Sequence, residues 1–165
     1  PFNVLLRSPE MGDIAQQFGA SMRFNPTMPR ALNEMAIIIT ARYWTAQYEW
    51  YAHRRLAEQA GLAPAILDAI AEGRRPAGMD ADETIVYNFA KELLDTTVVG
   101  DANYNAMKDR FGEQGIESLV LTDLKWGDSF EDARLEYVHV YNGTTGVIEN
   151  VAFFAYSTPR SPEPR

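Results

Sequence analysis

The chain has no cysteine among its 165 residues, which removes disulfides, thiol peroxidase and dithiol chemistry, and cysteine-ligated metals together. Histidine is scarce as well: His53 and His139 are the two imidazoles. Uncharged apolar runs of about 18 residues are missing, because Glu34 and Arg42 bracket the longest candidate, so no membrane span is expected. The amino end lacks the basic, then apolar, then small-residue order of a secretory signal, and the cytoplasm is the expected location. Positive charge is in deficit. Fifteen Lys and Arg against 23 Asp and Glu give a net charge of -8, with no basic stripe to meet nucleic acid or an anionic membrane. A local arginine can still hold a small acidic substrate.

What is present is a globular composition, 46% hydrophobic and 23% charged, on a length that suits one domain with a real core. From residue 8 to about residue 117 the apolar periodicity is helical. Ser8 and Pro9 suit a cap and first helical position, with Met11, Ile14, Ala15, Phe18 and Met22 as the apolar face. Asn25, Pro26 and Pro29 break the chain before a helix carrying Leu32, Met35, Ala36 and Ile39. A third helix spans about Thr45 to Ala60 and stops at Gly61; Pro64 opens a short fourth that ends near Gly73. Asp80 and Glu83 have the spacing of a capping box ahead of Ile85, Val86, Phe89 and Leu93. Asp101 caps a helix with Tyr104, Met107 and Phe111, closed by Gly112. The fold class expected is all-α, a bundle of short helices.

After residue 120 the composition changes. Residues 135 to 156, "LEYVHVYNGTTGVIENVAFFAY", are rich in β-formers around a turn-like "NGTTG", which reads as a hairpin, while a helix over 147 to 156 stays open. One domain is drawn over residues 1–158, followed by a proline-rich tail at 159–165.

The candidate site lies in the second and third helices. On a helix starting near Thr45, the residues Ala46, Glu49, Trp50 and His53 share one face, and Glu49 and His53 are neighbours one turn apart. A carboxylate beside an imidazole fixes which ring nitrogen carries the proton, as a proton-shuttling pair needs. Such pairs are also common on solvated helix faces. Glu34, inside "LNEMAIII", is costly to bury alone, so it is either satisfied by an arginine such as Arg42 or functional. Joined to the same pocket, Glu34, Glu49 and His53 would make two acids and an imidazole, whose unlike environments separate donor from acceptor. Tyr43, Trp44, Tyr48, Trp50 and Tyr51 wall a pocket or, more ordinarily, form core or subunit interface. "GRRP" at 73–76 reads as a solvated basic loop, and no metal is expected.

The run "RALNEMAIIITARYWTAQYEWYAHRRLAEQAGL", followed by a short helix and "GRRP", resembles the carboxymuconolactone decarboxylase and alkylhydroperoxidase D family over residues 8 to about 117. Peroxidases of that family carry an acid, a C-x-x-C pair and a histidine. Laid on this chain, the acid falls on Glu34, the cysteine places on Ala46 and Glu49, and the histidine on His53. The resemblance implies a helical bundle of the alkylhydroperoxidase D type, assembled as a homo-oligomeric trimer or hexamer. Without thiols, a peroxidase label is chemically empty here, and the implied activity is the decarboxylase one, which uses no cofactor. That reaction needs an anion holder and a proton donor at carbon. The expected roles are His53 as proton donor or relay, Glu49 as its orienting partner and Glu34 as a second acid. Arg42, Trp50 and Tyr48 are the expected contacts to a small carboxylated or lactone substrate. The competing class is a binding or structural homo-oligomer that keeps the fold without catalysis.

Overall fold

The structure is a computed structural model. It describes the backbone of residues 6–126, 133–141 and 148–156, and the side chains of residues 6–121. The chain divides into two compact units, residues 2–128 and residues 129–165 together with Pro1, where the sequence suggests one domain over 1–158.

Six helices make up the described part of the first unit: α1 Pro9–Phe24, α2 Arg30–Trp44, α3 Gln47–Gln59, α4 Pro64–Ala71, α5 Ala81–Thr96 and α6 Asp101–Trp126. The all-α class expected for this part is what is found. Pro9 and Pro64 occupy first-turn positions, where the missing N–H is one of the donors a helix start leaves unbonded. The Asp80–Glu83 box forms in both directions: Glu83 N–H donates to Asp80 Oδ1 and Asp80 N–H to Glu83 Oε2, each at 2.8 Å. Gly112 does not close the last helix but kinks it. Its φ of 71° and ψ of -178° fall in a region open essentially to glycine alone, and the chain resumes helix beyond it as far as Trp126.

The centre of the unit is α2. Every residue from Leu32 to Ala41 is buried, so this helix is enclosed on all sides by α3, α4, α5 and α6 instead of presenting one apolar face. Met35, Ala36, Ile38 and Ile39 meet Leu62, Leu67, Val86, Phe89 and Met107 from its neighbours. Enclosure places Glu34 and Thr40 in the interior; Thr40 donates its hydroxyl to the Ala36 carbonyl at 3.0 Å. The helix ends at Thr45, whose left-handed φ of 60° reverses the chain into α3 and fixes the pairing of the two site helices.

α1 departs from expectation. Met22 is buried, but Met11, Ile14 and Phe18 of its apolar face are exposed. Among the described residues, no helix is long and apolar enough to cross a membrane.

In the second unit, β1 Ala133–Tyr141 pairs antiparallel with β2 Ile148–Tyr156, from Ala133 opposite Tyr156 to Tyr141 opposite Ile148. This is the hairpin alternative, with His139 opposite Asn150. The "NGTTG" turn and the tail at 159–165 lie outside the described residues.

Candidate functional site

Glu34 sits in the second turn of α2 and His53 in the middle of α3, both at 2–3% exposure. Their side chains meet between the helices, with His53 Nδ1 2.7 Å from Glu34 Oε2. Burial without such a partner would cost a carboxylate several kcal/mol, roughly, so the contact explains how an acid survives inside the most enclosed helix. With Nδ1–H donating to Glu34, the second ring nitrogen, Nε2, is directed to Glu49, 3.6 Å from its Oε2. That separation exceeds a hydrogen bond of about 2.7–3.2 Å. Glu49 is the outermost of the three, its side chain 14% exposed.

The two acids and the imidazole expected to share a place therefore do so, in the order Glu34, His53, Glu49. Glu34 makes the shorter contact to the ring and Glu49 the longer one. A fourth side chain, Arg30, approaches from the exposed start of α2, with Nε 4.0 Å from Glu34 Oε1. The i, i+4 spacing of Arg30 and Glu34 signals this contact, whereas Arg42 is the arginine expected from the sequence. Arg42 lies eight residues beyond Glu34, about 12 Å along the helix axis. Its Nε–H donates to the carbonyl of Ala71 at the end of α4, at 2.7 Å.

Arg42 lines two surface clefts. One, about 310 Å³, is bounded by Arg42, Ala46, Gln47 and Trp50 with Ala41, Thr45 and Ala71. The other, about 230 Å³, is bounded by Arg42, Tyr43, Arg74, Tyr87 and Lys91 with Ile39, Ile70 and Gly73. Of the three expected substrate contacts, Arg42 and Trp50 meet in the larger cleft. Tyr48 lines neither and is exposed. Glu34, Glu49 and His53 line neither cleft, although Ala46 and Trp50 lie on the helix face that carries Glu49 and His53.

Tyr43, Trp44, Tyr48, Trp50 and Tyr51 are not among the buried core residues. Tyr43, Tyr48 and Tyr51 are exposed, and Trp50 is half-buried against the core. Tyr43 packs edge-on against Trp44, with centroids 5.2 Å apart. Asn33, beside Glu34, was not anticipated: it is buried, and its Oδ1 has no hydrogen-bond partner among the described residues. Among the described residues, no group of three or more His, Cys, Asp or Glu side chains is arranged to hold a metal ion.

Comparison of the chain with family models, with curated proteins and with solved structures finds no match.

Proposed function

We propose that this chain is a cytoplasmic, cofactor-independent enzyme of the carboxymuconolactone decarboxylase type. It acts as a homo-oligomer on a small carboxylated or lactone substrate by acid and base proton transfer. The observation that carries this reading is the buried Glu34–His53–Glu49 series, in which one imidazole stands between two carboxylates of unequal exposure. Glu34 holds the ring in the tautomer that leaves Nε2 toward Glu49, and Glu49 is the outlet toward solvent. In the reaction, the carbon–carbon bond to the substrate carboxylate breaks and its electron pair passes into the adjoining unsaturated carbonyl as an enolate. Carbon dioxide leaves, and a proton taken up from solvent and held between Glu49 and His53 Nε2 is placed on carbon, reaching the substrate past Trp50, which shares a helix face with Glu49. Arg42 and Trp50, across the larger cleft, bind the anion and the flat body of the substrate.

Carbon dioxide release from γ-carboxymuconolactone and a panel of related carboxylated lactones and β-keto acids tests the reading. Wild type is expected to release carbon dioxide, and His53→Gln to lose at least about a hundredfold in rate while keeping its fold. The near-complete burial of His53 favours a second reading, an inert binding or structural protein in which the pair only packs. Absence of release from every member of the panel, with a folded wild type, would decide for it.

A further inference from the structure

The smaller cleft is opposite in sign to the molecule that carries it. The chain has a net charge of -8, yet three of the eight residues bounding this cleft are cations and none is acidic. The cations come from three separate places: Arg42 from the end of α2, Arg74 from the loop after α4, and Lys91 from α5. Their convergence is tertiary, not a run of like charge in the sequence. The lining also includes the buried, apolar Ile39 and Ile70 and the two tyrosines Tyr43 and Tyr87.

The cations keep donors for a ligand. Arg42 is anchored through Nε to the Ala71 carbonyl, and among the described residues no carboxylate lies within 4.0 Å of it, so its terminal nitrogens remain for a carboxylate fork. Lys91 spends one contact on Asp95 at 2.8 Å and holds Nζ 5.3 Å from the centre of the Tyr43 ring. Arg74 pairs with Glu72 where both side chains are more than half exposed, and such a solvated pair yields readily to a better-placed anion.

We infer that this cleft is a binding site for a small organic carboxylate with a flat apolar body, its carboxylate held by Arg42, Arg74 and Lys91 and its body laid on Ile39 and Ile70 between the two tyrosines. A space of about 230 Å³ falls just below the usual range of small-molecule pockets, about 300–1,000 Å³, which matches a single-ring acid. The site is distinct from the proton-transfer series and requires no turnover; Arg42 borders both clefts, and Arg74 and Lys91, which border this one and not the larger, are the holders that distinguish it.

Calorimetric titration of the full chain with benzoate, benzamide and inorganic phosphate tests the inference. Saturable benzoate binding at about millimolar concentration is expected, weakened about tenfold in Arg74→Gln and again in Lys91→Gln, and weakened by added salt. Benzamide, which keeps the ring and loses the charge, and phosphate, which keeps charge and loses the ring, are expected to bind at least about tenfold more weakly. Both substitutions are at partly or fully exposed positions, so circular dichroism is expected to stay that of wild type. The inference is overturned by benzoate failing to saturate, by its affinity surviving both substitutions in folded protein, or by benzamide or phosphate binding as well as benzoate.

Discussion

Glu34 shows how far a single residue can be read before its partner is known. An acid between Leu32 and Met35 predicts a burial cost and hence a partner, and that much follows from residue type. The partner is His53, nineteen residues away on another helix at 2.7 Å, and helix spacing relates only residues three or four apart on one helix. Glu49 and His53 were legible as neighbours for that reason, yet theirs is the looser contact. If the Glu34 oxygen is what satisfies the buried imidazole N–H, Glu34→Ala should lower unfolding free energy by about 1–3 kcal/mol, because a donor is left buried and unbonded. Glu34→Gln, which retains a carbonyl oxygen, should lose clearly less. Urea denaturation of the two variants decides the matter: equal losses would mean that the volume of the side chain counts and the hydrogen bond does not.

At the level of elements, helix starts were more legible than helix surroundings. Pro9, Pro64 and the Asp80–Glu83 box act on backbone groups within one turn, so local sequence suffices to place them. The sequence marks Leu32, Met35, Ala36 and Ile39 on α2 but not its complete enclosure, since periodicity does not say how many neighbours will pack on a helix. The joint between α5 and α6 was not anticipated at all: Arg110 donates from Nε and Nη2 to the two carboxylate oxygens of Asp82, both at 2.6 Å. Those hydrogen bonds, opposed by burial and supplemented by the guanidinium charge, hold the Asp82 carboxyl below its ordinary value of 3.8. A depressed carboxylate stabilises the fold fully above the unfolded value and loses that contribution as pH falls through the folded one. Asp82→Asn should therefore be less stable than wild type near about pH 7, with the two denaturation midpoints converging toward about pH 2. A constant gap across that range would show that the effect is not the ionised pair.

For the molecule as a whole, the unresolved demand is the outer face of α1. Met11, Ile14 and Phe18 recur at helical spacing, and each is at least 44% exposed. A continuous apolar stripe of this kind marks an interaction surface more often than a solvent face. In the proposed homo-oligomer this stripe is covered by another copy, so wild type should sediment as a multiple of the chain and Ile14→Glu with Phe18→Glu as a monomer of unchanged helicity. A monomeric wild type at about 0.1 mM, well above the Kd of an ordinary stable assembly, would end that proposal. The sequence by itself determined the all-α character of residues 8 to 117, the breaks between helices, the exclusion of thiol chemistry and the suspicion attached to Glu34 and His53. Each of these rests on composition or on interactions within a turn or two. Tertiary structure alone decided that Glu34 makes the closer contact to the imidazole, that Arg42 turns to Ala71, and that three scattered cations ring one cleft in an acidic molecule. Those facts depend on which helix faces cross and at what height, and burial in a shared core sets that only when all the helices are in place.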